Sequence, residues 1–360
     1  MKREQKINGL LQQIGATEGD GFAYDKEQLQ RAIGQSENAY ANIVIKILSG
    51  AGGFLATLAL LGFFFVAGLY KTEPAMIISG IISIALAIGG SRIANHTFFD
   101  TVAITLYITG FVLAGIGMGS MGSDSNVILI LFMIVSIAGV LISGGFMMTF
   151  VSVLLFNGSF FAIFPVNHLY GYIAAVPMLF VLAALYWLTA NEHRILAAGS
   201  FWNKLYQSLQ SGFFISFLAG LIWMVHQYDF GFGPMGYGRL LSVAIDIGIL
   251  LLVAQIIKSL QIVSKVTIVA IYLLTIVLLL PVFNFAYIPG ALFLLLLSVR
   301  YGYKVEIGLS IAALAYFIIK YYYDLRLSLL YKSGLLFFPG LLLLLVWYFY
   351  NRQLKRDEKI

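Results

Sequence analysis

Residues 125–191 contain no Asp, Glu, Lys or Arg, and this uncharged run constrains the fold more than any other feature. A membrane-spanning helix needs about 20 apolar residues. The run is too long for two such helices and fits three. Breaks fall at Ser143-Gly144-Gly145 and Pro165-Val166-Asn167-His168, where glycine and proline punctuate the pattern. Composition extends the argument to the whole chain. Of 360 residues, 61% are hydrophobic and 11% charged. Soluble domains carry about 25% charged residues, so a single water-soluble globule and a disordered chain are both excluded. The fold class expected is all-α: a polytopic integral membrane bundle of about twelve helices.

The expected spans are about 43–69, 75–91, 98–118, 126–143, 146–164, 169–189, 206–226, 240–257, 265–280, 284–299, 304–322 and 331–350. Residues 1–42 form a polar lead-in with short amphipathic turns and lack the early apolar core of a cleaved signal peptide. Residues 43–350 are the transmembrane domain, and 351–360 are a basic tail. With both termini in the cytoplasm, sixteen Lys and Arg lie in inner segments and five in outer turns, and Lys46 lies at the inner end of the first span. That distribution follows the positive-inside rule. It also accounts for the net charge of +6 without nucleic acid; the partner in view is the lipid bilayer. The absence of cysteine removes disulfides and thiolate chemistry.

Asp246 stands out in the run Leu-Leu-Ser-Val-Ala-Ile-Asp-Ile-Gly-Ile-Leu. Seven residues beyond Arg239, it lies roughly 10 Å into the span, where an acid costs about 2.5–3.5 kcal/mol unless it faces protein or water. Ser242, one turn earlier, shares its face. The pair is a candidate proton or cation site, with a structural acid between helices as the plain alternative. Asp100 and Glu306 sit near helix starts, where the macrodipole favours carboxylates. Arg92 is placed to pair with Asp100, and Arg300 with Lys304 to pair with Glu306, so these are expected to be structural charges.

The outer turn 320–332 violates the charge rule locally. Tyr321, Tyr322, Tyr323, Asp324, Arg326 and Lys332 form a polar, aromatic stretch that is a candidate contact for a partner or a headgroup. An interfacial belt accounts for the tyrosines but not for the charges. The literal G-x-G-x-x-G at Gly231, Gly233 and Gly236 lies between spans and lacks the βαβ context of a dinucleotide site. Gly115 and Gly119 read as helix packing. His96, His168, His193 and His226 are isolated, and neither a metal site, a cofactor nor a nucleophile motif is expected.

Two stretches carry a family resemblance. One is Ser49-Gly50-Ala51-Gly52-Gly53-Phe54-Leu55-Ala56 running on to Leu60-Leu61-Gly62-Phe63. The other is Tyr321-Tyr322-Tyr323-Asp324-Leu325 with Ser328-Leu329-Leu330-Tyr331-Lys332-Ser333 and Gly340. Together they resemble the bacterial membrane-protein family called domain of unknown function 4401. The resemblance implies no catalytic residues. It implies a small membrane-anchored partner bearing a G-D-Y-x-x-L-x-Y motif; that motif is absent from this chain, where Gly19-Asp20 is followed by Gly21.

Three functions follow in order of expectation. The first is a component of a membrane or envelope assembly, touching a small membrane-anchored or envelope protein through 320–332. The second is a secondary transporter or channel using Asp246. The third is an enzyme acting on lipid-linked substrates.

Overall fold

The computed structural model describes residues 55–64, 72–91, 97–143, 145–226, 238–262, 264–283 and 285–324, with scattered positions beside these segments and within 330–344. Two compact units emerge, Met1–Phe63 and Phe64–Ile360. An apolar helix spans Leu55–Phe64.

The second unit consists of helices joined by turns, with no strand among the described residues. Its helices are α1 (Glu73–Gly90), α2 (Thr97–Ser120), α3 (Ser125–Ile142), α4 (Phe146–Val166), α5 (Pro177–Ala190) and α6 (Glu192–Ala197). After them come α7 (Ser200–His226), α8 (Gly238–Ser259), α9 (Lys265–Leu279), α10 (Tyr287–Tyr301) and α11 (Lys304–Asp324). Nine helical segments among the described residues are long and apolar enough to cross a membrane; α10 is shorter. Helices are the form in which a spanning segment satisfies its own backbone in lipid. Ten of the twelve expected spans thus coincide with described helices. The first and last lie largely outside the described residues, as do the polar lead-in and the basic tail.

The uncharged run does divide into three. Asp124 caps α3 by accepting from the Asn126 backbone N–H at 2.8 Å. Helix α3 stops at Ser143 and α4 starts at Phe146. Pro165 lies in the last turn of α4, and His168 takes a left-handed φ of 58°. The third span opens with a 3-10 turn, Tyr170–Tyr172, before Pro177 starts α5.

Helices α1 and α2 pack antiparallel and very closely. A Cβ on Gly80 would lie 2.7 Å from the Ala114 backbone nitrogen, and one on Gly110 2.7 Å from the Gly80 carbonyl oxygen. Lipid tails supply no hydrophobic drive between helices, so small residues that let backbones approach carry this contact. Gly115 instead meets the ring of Phe132, and Gly119 meets nothing within 4 Å. Tyr107 and Phe111 of α2 are the core of this half, with Ala87 and Met148.

A larger core joins α5, α7, α8, α10 and α11 around Phe214, Phe217, Leu221, Ile245 and Phe293. The two halves meet where α4 lies along α7. Val153 faces Gly212, Asn157 bonds Ser216, and Phe161 faces Gly220, in steps of four residues on both helices. Those matched steps mean parallel packing of i±4 ridges. Helix α9 has a single buried residue, Leu279, and exposes Val266, Val269 and Leu273. Such faces are compatible with lipid, not water.

Candidate functional site

The inward face of α8 is Leu241, Ser242, Ile245, Gly248, Ile249 and Leu252, while Leu240, Val243, Ile247 and Leu251 point outward. Asp246 lies at the border and is half-buried. It is eight residues from the start of the helix and thirteen from its end, or about 12 Å and about 20 Å along the axis. The helix packs on α5, α9 and α10, with Gly248 set against the ring of Phe293.

The Asp246 Oδ1 atom is buried and finds no hydrogen-bond partner among the described residues, and the same is true of Ser242 Oγ. A buried polar atom without a partner costs about 1–3 kcal/mol, and more when it carries charge. An ionised carboxylate left this way needs compensation by a cation, or a proton to remove the charge. The site therefore combines a carboxylate and a neighbouring hydroxyl, both with unused oxygen lone pairs. Oxygen donors of this kind suit a proton or a hard cation.

A second polar constellation links α6, α7 and the start of α11. The hydroxyls of Tyr206 and Tyr303 lie 3.0 Å apart. Ser211 donates to a Glu306 carboxylate oxygen at 2.9 Å. The Glu192 carboxylate faces Tyr303, and burial holds that phenol well above the usual tyrosine range. Gln210 is 1% exposed, and its Nε2 has no partner among the described residues. Further along the same pair of helices, His226 Nε2 and the Tyr316 hydroxyl are 2.6 Å apart. The ascending pairs 206–303, 211–306 and 226–316 make α7 and α11 parallel. None of these cross-helix bonds is readable from spacing, since about ninety or more residues separate the partners.

The structural charges are placed as follows. Glu306 accepts from Ser211, whereas Arg300 reaches Ser259 at 3.4 Å and lies over the Tyr301 ring. Asp100, in the first turn of α2, lies beside Gly145 in the α3–α4 turn. Arg92 and His96 are outside the described residues. Asp100, Asp246 and Glu306 thus occupy separate helix contacts. No group of three or more His, Asp or Glu able to hold a metal exists among the described residues.

In the tyrosine stretch, Tyr321 turns inward. It is 2% exposed, donates to the Pro281 carbonyl oxygen at 3.1 Å and packs edge-on against Phe285. Tyr322 is half-buried, and Tyr323 is 74% exposed. The side chains of Asp324, Arg326 and Lys332 lie outside the described residues, as does the glycine-rich loop 227–237.

A groove of about 590 Å³ runs between α4 and α7, lined by Phe161, Pro165, Ile215 and Trp223 above the buried Asn157–Ser216 pair. Asn157 Nδ2 donates to Ser216 at 3.0 Å.

The stacked apolar helices and the intramembrane carboxylate define a multi-pass, all-helical membrane protein. Within that class the chain belongs to the family described as Domain of unknown function (DUF4401), whose model matches residues 43–353. The match takes in the α8 carboxylate and the tyrosine stretch alike. No curated protein and no solved structure matches the chain.

Proposed function

We propose that this protein is a secondary transporter or channel that takes up a proton or a small cation at Asp246, with Ser242 as auxiliary ligand. The observation that carries the reading is the buried, unpartnered Asp246 oxygen in the middle of a spanning helix. A purely structural acid would be expected to have found a donor, because removing that cost is what a structural hydrogen bond does. Ionisable residues retained within spans are functional candidates by default. The positive-charge distribution favours both termini in the cytoplasm, and the family resemblance favours a bacterial inner membrane.

Carbodiimide labelling tests the site. A protonated carboxyl within the membrane reacts with dicyclohexylcarbodiimide, and peptide mass spectrometry locates the adduct. The expected adduct is on Asp246, and its formation slows as pH rises or as the bound cation is added. Labelling of Asp246 that ignores both pH and cations removes it from the mechanism.

A second reading, a component of a membrane or envelope assembly, draws support from the exposed Tyr323, Leu330 and Tyr331 beyond the core of α11. Aromatic residues exposed together at a span end suit a protein contact as well as a lipid belt. The enzyme reading has the least support, because Asp100, Asp246 and Glu306 do not converge.

A further inference from the structure

The end of α5, the short helix α6 and the first turns of α7 enclose a groove of about 370 Å³. Its apolar floor includes Leu188 and Leu209, Trp187 and Trp202 form walls, and Asn191 and Arg194 contribute the polar groups. Among the described residues, Arg194 is the one charged residue in the lining. The nearest acid in sequence, Glu192, interacts with the Tyr303 hydroxyl and is not part of the groove's lining. Asn191 is already engaged, donating from Nδ2 to the Trp187 carbonyl oxygen at 2.9 Å. Both tryptophans are largely exposed along with Arg194. The groove lies between two spanning segments, Tyr170–Ala190 and Phe201–His226, and so at the level where a bilayer changes from hydrocarbon to headgroups.

We infer that this groove is a binding site for one anionic phospholipid, with its phosphate on Arg194 and the upper part of an acyl chain on the apolar floor between the two tryptophans. Charge complementarity selects the occupant: a guanidinium suits a phosphate through paired N–H donors. An apolar floor beside that cation suits a lipid rather than a free anion. Tryptophan belongs at this depth because its ring is apolar and its N–H needs a wet partner. The volume is within the range of about 300–1,000 Å³ typical of small-molecule sites. The site is separate from Asp246 and does not depend on its role.

Native mass spectrometry of the full chain in mild detergent is the test. The protein is titrated with phosphatidylglycerol and phosphatidylcholine of identical acyl chains, and with inorganic phosphate. The expected result is one phosphatidylglycerol retained in preference to phosphatidylcholine. Arg194→Gln lowers that preference about tenfold, the loss of one charge-assisted contact, while Arg194→Lys keeps most of it. Arg194 is exposed, so the variants are expected to fold, and size-exclusion profiles check this. Equal retention of the two lipids overturns the assignment. So does a preference that survives Arg194→Gln, or displacement of the lipid by millimolar phosphate, which would make the groove a simple anion site.

Discussion

Ser242 and Asp246 lie one turn apart on the same face of α8, and the Ser242 hydroxyl and the Asp246 Oδ1 are both buried without a hydrogen-bond partner among the described residues. Two unsatisfied oxygens one turn apart in a spanning helix are a stability cost that packing alone does not explain. A site built for a transient proton or cation carries such a cost in its empty state.

Replacing Asp246 by Leu removes the unsatisfied group while keeping similar bulk. The expected outcome is a fold at least as stable as the parent, and up to about 2 kcal/mol more stable. Thermal unfolding in detergent, followed by loss of the monodisperse size-exclusion peak, measures it. A variant that unfolds several degrees earlier would mean that Asp246 has a structural bond.

The α1–α2 contact gives a sharp contrast between two glycines. Gly80→Leu must push against the backbone of Ala114 and Gly110, and overpacking of this kind costs about 1–3 kcal/mol or more. Gly119→Leu meets open space, and its expected effect is within about 0.5 kcal/mol. Melting curves of the two variants should separate clearly; equal curves would contradict the close packing.

Much of the fold was legible in the sequence, and the legible parts share a cause. The uncharged run 125–191 had to become three helices because bilayer thickness fixes helix length. Asp246 was visible because one acid inside an apolar span has no ordinary place to go. The cross-helix partners were not visible. Tyr206 with Tyr303 and Ser211 with Glu306 depend on which helices become neighbours, and periodicity within one helix carries no such information. For the same reason Arg300 reaches Ser259 on α8 and its own neighbouring Tyr301 ring. Tyr321, read with its neighbours as an outer contact, is inward because α11 brings it against Pro281 and Phe285. The short helix α6 lacks the length for a periodic signal.

Tyr303 links burial to pH. Because its phenol is held protonated by burial and by the facing Glu192, the folded chain keeps a proton that the unfolded chain releases near pH 10. The folded state then binds more protons than the unfolded state, so stability falls as pH rises above about 10. Tyr303→Phe abolishes the Tyr303 share of this alkaline slope and costs about 1 kcal/mol at neutral pH from the lost bond to Tyr206. Unfolding measured from pH 7 to 11 for both proteins checks the sign and the size.

The two tyrosines at the end of α11, Tyr321 and Tyr323, should behave differently. Tyr321→Phe loses a partly buried bond to the Pro281 carbonyl and costs about 1 kcal/mol of stability. Tyr323→Ala leaves stability unchanged within about 0.5 kcal/mol, because Tyr323 is exposed. If the assembly reading holds, Tyr323→Ala is the variant that releases a crosslinked membrane partner. Melting curves and crosslinking of the same two variants separate these effects.

The central claim concerns Asp246, and flux measures it most directly. Purified protein in sealed proteoliposomes, with a pH-sensitive dye inside, is given a pH or cation gradient of either sign. The parent chain is expected to dissipate the gradient faster than empty liposomes, and Asp246→Asn, matched for incorporation and fold, to fall to the empty-liposome rate. Equal dissipation by the parent and Asp246→Asn, or none by the parent under either gradient, would contradict the account.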